Sequence, residues 1–319
     1  MPQEIRFATF NVFNLAPPGV KLYDNLEPLT AQQYEAKLDW TARQLDRLDA
    51  DVVGFQEVFS QDCLRAVLAR TLRYCGAAHA GFDPDPAAER LTPSVALVSR
   101  LPLLAPAVAR ADFPPGVALP GDGRDAARFV RAPLQARLAL PGGSELDVLV
   151  VHLKSRRPDY RNGERGDDAL QVALANLRSL IRRGTEAVAL RVLLDELARG
   201  GRPRVVLGDF NDVADAVTTG IVLGAGECGG EAPGRLYDSL QVQRRQDSLR
   251  HIGYTNIHDG RYMTLDHILV SEEFNAASRY AIGEVLEVNY LNEHLPLALP
   301  QASDHGQVLA RLRLYGARG

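Results

Sequence analysis

The stretch RVVLGDFN, which spans Arg204–Asn211, is the segment from which the fold is best inferred. Its short apolar run predicts a buried strand that stops at Gly208-Asp209. Asp209 and Asn211 stand two positions apart, so in extended backbone their side chains project to the same side. Gly208 lets a ligand approach the main chain closely. A simple turn would also explain these residues, so the interpretation depends on what the other strands contribute.

Other predicted strands and loops also stop at polar residues, and they lie in both halves of the chain. In α/β folds, binding groups gather beyond strand ends, where loops converge. We therefore expect one shared rim, built by a single domain over residues 1–319, and not a catalytic domain confined to one half. The polar residues at these ends are Asn11, Glu57, His152, Asp266 and the pair Asp304-His305.

Each of these residues also has an ordinary structural explanation. Asn11 would be a turn former, Glu57 a capping or ion-paired carboxylate, and His152 a core histidine. A carboxylate at the end of a buried strand is costly unless it is paired or bound to metal. His267 alternates with Asp266 along the strand, so we expect it to face away from the rim and to be structural.

The chain length and composition are those of an ordinary globular protein. Its 319 residues permit either one large α/β domain or two smaller ones, because a single core stops growing near ~250–300 residues. Lys plus Arg number 36 and Asp plus Glu number 40, which gives a net charge of −4. This balance is not the basic footprint of a dedicated nucleic-acid binder, although a local basic patch would suffice for a nucleic-acid substrate.

The cysteines and the apolar pattern bear on the compartment of the protein. Cys63, Cys75 and Cys228 are odd in number and form no C-x-x-C pair, so we expect free thiols. We find no signal peptide and no apolar run of the ~20 residues that a membrane helix needs. The sequence therefore predicts a soluble cytoplasmic protein that does not bind a membrane, and it leaves the oligomeric state open.

The remaining elements follow from periodicity and turn signals. Thr30 and Gln33 predict a capping box for a helix that ends near Asp49. A helix carrying Leu64 and Leu72 follows Ser60, and Phe129–Leu140 is predicted to be a strand. Asp167 opens a helical region to about Arg199, in which Gly184 predicts either two helices or a kink. Residues 211–262 give no clear pattern.

Seven short motifs occur in an order that resembles the endonuclease/exonuclease/phosphatase superfamily, and they cover residues 9–305. The resemblance implies an α/β fold, a four-layered sandwich with two mixed β-sheets packed face to face and helices outside. It is most similar to bacterial predicted nucleases. The motifs are Thr9-Phe10-Asn11-Val12, Phe55-Gln56-Glu57-Val58, Ala96-Leu97-Val98-Ser99-Arg100, Val151-His152-Leu153-Lys154, Gly208-Asp209-Phe210-Asn211, Leu265-Asp266-His267-Ile268 and Ser303-Asp304-His305.

The resemblance also implies a divalent-metal-dependent hydrolysis of phosphate esters. Glu57 and Asn11 would be the metal ligands, since hard oxygen donors suit Mg²⁺ or Mn²⁺. Phe13 stands where some members carry a second acid, which weakens the case for a second metal site. The implied catalytic residues are His152, Asp209, Asn211, Asp266, Asp304 and His305, and which histidine gives or takes the proton stays open.

A basic run follows the strand that ends at His152. Lys154, Arg156 and Arg157, with Arg161 and Arg165 further on, would bind substrate phosphates together with Asn211, or would form a solvated loop offset by nearby acids. We expect a phosphodiesterase or nuclease that acts on a phosphoester, with DNA or RNA as candidates. The alternatives are a phosphomonoesterase or a lipid or inositol phosphoesterase on the same fold, and an inactive binding scaffold. Zinc hydrolase spacing is missing.

Overall fold

A computed structural model describes residues 3–84, 91–120, 127–161, 163–164, 166–224, 234–244 and 253–316. Cys228 and Arg165, two residues considered above, lie outside these ranges. Cys63 and Cys75 are free thiols, the first buried and the second exposed. None of the helices within the described ranges combines the length and the apolar character needed to cross a bilayer.

The described chain contains fourteen strands, five helices and two 3₁₀ turns. The strands are β1 (Gln3–Leu15), β2 (Val52–Val58), β3 (Ala78–Gly81), β4 (Ser94–Ser99), β5 (Val108–Ala109), β6 (Leu134–Ala139), β7 (Glu145–His152), β8 (Arg204–Asp209), β9 (Leu236–Asp238), β10 (Asn256–His258), β11 (Arg261–Met263), β12 (Asp266–Ser271), β13 (Gly283–Leu291) and β14 (Gln307–Leu314). The helices are α1 (Ala31–Leu48), α2 (Gln61–Leu68), α3 (Ala169–Ala198), α4 (Val217–Leu223) and α5 (Ser239–Val242), with 3₁₀ turns at Glu272–Phe274 and Leu295–Leu297.

Two six-stranded mixed sheets form the centre of the molecule. The first has the order β13-β14-β1-β2-β4-β3, and the second has the order β5-β6-β7-β8-β12-β9. The pairs β1–β2 and β7–β8 are parallel, whereas β8–β12 and β1–β14 are antiparallel. A separate two-stranded hairpin joins β10 and β11.

Three apolar cores separate the two sheets and the helices outside them. This arrangement confirms the predicted four-layered sandwich. Residues of both sheets, such as Phe7 and Leu207, form one core between the sheets. Phe10 belongs to a second core with α1 and α2, and Val206 to a third with α3 and α4. Alternate residues of β1 thus face different layers, which explains why the strand is apolar almost throughout.

The sheets approach closely at Gly54 in β2. A Cβ atom at this position would lie 1.9 Å from Cδ1 of Leu207 in β8, on the opposite sheet. A side chain at this position would require Leu207 to shift. The two sheets therefore pack closely near the strand ends that carry the polar residues.

Several element boundaries differ from the sequence predictions. Helix α3 is continuous through Gly184, so the prediction of two helices is wrong and the alternative of a kink stays a prediction; the N-cap of the helix is Asp168. A Cβ at Gly184 would meet no neighbouring atom, so the glycine marks no close packing. Helix α2 ends at Leu68, and Leu72 is 90% exposed. Strand β6 begins only at Leu134, because the preceding residues are bends and an isolated bridge.

Candidate active site

The register of the second sheet places three polar residues side by side. His152 at the end of β7 and Asp266 at the start of β12 both pair with Asp209 at the end of β8. All three side chains are buried. Asp209 is therefore the central member of a row that spans three adjacent strands.

Asn11 of the first sheet joins this row from the opposite side. Its Nδ2 donates to Oδ2 of Asp209 over 3.1 Å. The other carboxylate oxygen of Asp209, Oδ1, accepts from the backbone N–H of Asn211 at 2.8 Å, and Asn211 Nδ2 donates to the carbonyl of Leu153 at 2.9 Å. The site thus lies where the ends of the two sheets meet, and both sheets contribute to it.

His305, just before β14, forms a close pair with Asp266. Its Nδ1 lies 2.7 Å from Oδ2 of Asp266, and its Nε2 lies 3.9 Å from Oδ2 of Asp209. The Ser303 hydroxyl fixes the approach of this segment, since it donates to the carbonyl of Asn11 at 2.6 Å and accepts from the N–H of His305 at 2.9 Å. His305 therefore reaches the row with its Nε2 directed toward Asp209.

The pKa values of the two histidines are shifted in opposite directions. Burial lowers the pKa of His152 well below its usual range, and the charges of Arg131 and His305 lower it further. Burial acts in the same direction on His305, but the carboxylates of Asp266 and Asp209 outweigh it and raise the pKa of His305 well above its usual range. At neutral pH His152 is consequently neutral and His305 is an imidazolium.

Asp209 lies between the two rings and holds its own proton unusually tightly. Burial and then the neighbouring Asp266 carboxylate raise the pKa of Asp209 to about 7, against the opposing effect of the His305 charge. His152 Nε2 lies 3.5 Å from Oδ2 of the same carboxyl group. A carboxyl group with this pKa can accept or release a proton near neutral pH, as a general base requires.

Glu57 belongs to a group of site residues whose backbone has a left-handed conformation. It has φ +63°, and Oε2 accepts from the N–H of Asn14 at 2.9 Å. Burial and then the exposed Asp304 carboxylate raise the pKa of Glu57. Phe13, Asn14 and Asn211 also have positive φ values. Non-glycine residues in this region carry strain that is typical of functional sites.

Three residues of the site carry no signal that strand-end reasoning could detect. Lys37 of α1 is 3% exposed, and burial lowers its pKa to about 8 against the opposing charges of Glu57 and Asp304. Arg131 donates from Nη1 to the carbonyl of Leu153 at 3.0 Å. Glu186 of α3 accepts from the N–H groups of Val130 and Lys154 at 2.9 and 2.7 Å, so it holds two active-site loops together.

The basic run that follows β7 is partly engaged with the protein. Lys154 Nζ lies 3.3 Å from the carbonyls of Ser155 and Arg157. Arg156 is ion-paired with Asp212 at 2.5 Å, and the guanidinium of Arg157 lies 5.8 Å from the centre of the Tyr23 ring. Arg161 is exposed. A phosphate bound by Arg156 would therefore compete with Asp212.

His267 faces the other side of β12, as its alternation with Asp266 predicts. Its Nε2 donates to the carbonyl of Asp212 at 2.9 Å, and its Nδ1 lies 3.4 Å from Asp238. Burial opposes protonation of this ring, but Asp238 raises its pKa. Strand β12 thus carries one His–Asp pair on each face, and only the pair Asp266–His305 reaches the site.

Two groups of residues have donors that suit a hard divalent cation. Ligand atoms of Asp209, Asp266 and His305 lie within 4.8 Å of one another, and His305 Nδ1 already pairs with Asp266 at 2.7 Å. Glu57 and Asp304 form the second group: the Asp304 carboxylate raises the pKa of Glu57, and a bound cation would relieve this repulsion. The side-chain oxygen of Asn11, which accepts from the N–H of Phe13 at 3.0 Å, has a second lone pair for the same ion.

Comparison with known proteins identifies the family and supports the fold. The family model described as "Endonuclease/Exonuclease/phosphatase family" matches residues 8–305. No curated protein sequence matches significantly. Solved structures with the same fold include an endonuclease/exonuclease/phosphatase from Bacteroides vulgatus, with a TM-score of 0.59 and 18% identity over 98% of this chain and 100% of that one.

Two further structures extend the likeness to characterised enzymes. The human Nocturnin catalytic domain with bound sulfate has a TM-score of 0.60 and 16% identity, over 98% of this chain and 95% of that one. ANGEL2, described as a 2′,3′-cyclic phosphatase in complex with adenosine-2′,3′-vanadate, has a TM-score of 0.60 and 16% identity, over 98% and 96%. At these identities the likeness establishes the fold and no particular substrate.

Proposed function

Because the chain belongs to the endonuclease/exonuclease/phosphatase family, we propose that it is a metal-dependent hydrolase of phosphate esters that acts as a phosphodiesterase or nuclease. The observation that carries the proposal is the buried row formed by His152, Asp209 and Asp266 with His305 paired to Asp266 at 2.7 Å. Phosphoester hydrolysis needs a base for the water and positive charge on the phosphoryl oxygens, and this row offers both.

The protein groups divide these tasks as follows. Asp209, with a pKa of about 7, takes the proton of the attacking water. The His305 imidazolium, oriented by Asp266, donates from Nε2 to a phosphoryl oxygen. The Asn211 side chain keeps one amide hydrogen beyond its bond to Leu153 and donates it to the same phosphate. His152, neutral at this pH, lies beside Asp209 and contacts the phosphate from the other side. As the water oxygen bonds to phosphorus, the bond from phosphorus to the alcohol oxygen breaks, and the departing oxygen takes a proton from solvent.

Glu57, Asp304 and Asn11 would hold the divalent cation, Mg²⁺ or Mn²⁺. When bound, the ion supplies Lewis-acid charge neutralisation and a template for the phosphate. The strained backbone at Glu57 and the N–H of Asn14 fix the orientation of the carboxylate. Lys154, Arg156 and Arg157 would bind further phosphates of the substrate.

Removal of the metal tests the proposal. Hydrolysis of bis-p-nitrophenyl phosphate should stop in EDTA and return with Mg²⁺ or Mn²⁺. Glu57→Gln should raise the metal concentration required for half-maximal rate, because the amide is a weaker ligand than the carboxylate. Glu196→Gln, an exposed position on α3, is the matched control and should behave as wild type. Full activity in chelator would rule out the metal requirement.

A further inference from the structure

A cavity near the candidate active site is lined mainly by apolar residues, whereas the site itself is polar. It has a volume of about 300 Å³ and lies between the segment after β1 and the start of α1. This size is at the lower end of small-molecule sites. Its walls are mainly apolar, and they include Phe13, Pro17, Val20, Leu22, Leu26 and Leu29.

Three of the lining residues are also part of the catalytic region. Phe13 donates its N–H to the side chain of Asn11, and Asn14 donates its N–H to Glu57. Lys37, the third, lies close enough to Glu57 for the two charges to interact. The cavity, which we call the β1–α1 pocket, therefore shares residues with the surroundings of the proposed metal and phosphate site.

The charge distribution of the pocket matches a ligand that is apolar at one end and anionic at the other. The ammonium of Lys37 lies 5.5 Å from the centre of the Phe13 ring and interacts with the charges of Glu57 and Asp304. The remaining lining residues are mainly apolar, and Glu27 adds a carboxylate to them. A chain of phosphates would gain nothing from apolar walls beside Glu27, whereas a flat apolar group would.

We propose that the β1–α1 pocket binds a flat apolar substituent of the substrate, such as an aryl group or a nucleobase, while Lys37 contacts the phosphate to which that substituent is esterified. The inference rests on the proposed phosphoesterase function and adds a substrate class to it. The occupant is a single ring system, because the volume of about 300 Å³ leaves no space for a polymer.

Binding of two non-hydrolysable phosphonates tests the pocket without requiring turnover. Phenylphosphonate and methylphosphonate share the anionic head and differ in the ring, and their dissociation constants are measured by calorimetry with Mg²⁺ and again with EDTA. Burial of most of a phenyl ring should tighten binding about tenfold or more, which is about 1.4 kcal/mol. In the wild-type protein we therefore expect the dissociation constant of methylphosphonate to exceed that of phenylphosphonate by this factor.

Two substitutions distinguish the ring site from the phosphate site. Val20→Trp fills the pocket and should reduce the ratio of the two dissociation constants toward one, while the matched Val188→Trp on the exposed part of α3 should leave it unchanged. Lys37→Gln should weaken the binding of both phosphonates by a similar factor and leave the ratio of their dissociation constants unchanged. Equal ratios in the Val20 and Val188 variants would overturn the assignment.

The wild-type measurement alone can also refute the inference, so it does not depend on how the variants fold. Equal affinity for the two phosphonates, together with metal-dependent hydrolysis of bis-p-nitrophenyl phosphate, would overturn the pocket and leave the proposed function intact. Absence of binding and of hydrolysis under all metal conditions would overturn both. A high ratio that survives in EDTA supports a pocket that recognises the ring independently of the metal.

Discussion

Asp266→Asn is the substitution that most directly examines the catalytic arrangement. The change keeps the size of the side chain and removes the negative charge that lies 2.7 Å from His305 Nδ1. In the wild type this charge helps raise the pKa of His305, against the effect of burial. Without it, the pKa of His305 falls, and a smaller fraction of the ring carries the proton that should be donated to the phosphate.

The expected loss follows from the role assigned to His305. A donor aimed at an oxygen that gains charge in the transition state contributes typically ~10²–10³-fold to the rate, which corresponds to about 3–4 kcal/mol of activation free energy. We expect kcat to fall by this factor, with little change in the metal concentration required. The alkaline limb of the kcat/KM profile should move to lower pH, because the protonated ring is lost earlier as pH rises.

The second His–Asp pair of β12 supplies a matched control. Asp238→Asn removes the corresponding charge beside His267, on the face of the strand that points away from the site. In both pairs the pKa of the histidine is raised in the folded state. Each pair therefore contributes stability that is complete below the unfolded pKa, about 6.5, and is lost as pH rises through the raised value.

Chemical unfolding and steady-state kinetics separate the two pairs. Both variants should lose unfolding free energy at pH 6 relative to wild type, and lose less of it at high pH. Only Asp266→Asn should lower kcat. A variant Asp266→Asn with wild-type kcat and an unshifted pH profile would refute the assignment of His305, and an equal kcat loss in Asp238→Asn would show that both effects come from the fold.

The remaining predictions concern packing and the basic loop. Gly54→Ala should lower the unfolding free energy in urea by roughly 1–3 kcal/mol because its Cβ would meet Leu207 at 1.9 Å, whereas Gly184→Ala, with nothing near its Cβ, should raise it by about 0.5–1 kcal/mol. Simultaneous replacement of Arg156, Arg157 and Arg161 by Ala should flatten the salt dependence of oligonucleotide hydrolysis, from a log–log slope near −2 to −3 for about three phosphates, with a small chromogenic ester little affected. An identical slope in both proteins would leave the loop as a solvated surface.

The sequence was sufficient to predict the fold and the residues at the strand ends. Asp209 and Asp266 follow apolar strands, and a buried carboxylate in that position needs a partner, so the pattern itself indicates a site. The order of the motifs then implied two mixed sheets, which the structure confirms. The single domain and the role of each site residue stay predictions.

The residues that sequence reasoning missed share a physical cause. Lys37 and Glu186 lie on amphipathic helices, where a charged residue normally faces solvent, and only the tertiary packing turns them inward. Arg131 lies in a segment that was predicted to be strand. Gly184 misled the prediction for α3 because a mid-helix glycine costs only about 1 kcal/mol, which the packing of the long helix overcomes.

The candidate active site combines two half-sites, one from each sheet. The first sheet supplies Asn11 and Glu57, and the second supplies His152, Asp209 and Asp266. Asn11 joins the halves by one hydrogen bond of 3.1 Å to Asp209, so a change in sheet separation would alter the position of the proposed metal ligands relative to the proposed base. The sheets also approach closely at Gly54, on the neighbouring strand. The packing between the sheets is thus part of the proposed catalytic geometry, since catalysis requires the reacting groups to be held to within about 0.5 Å.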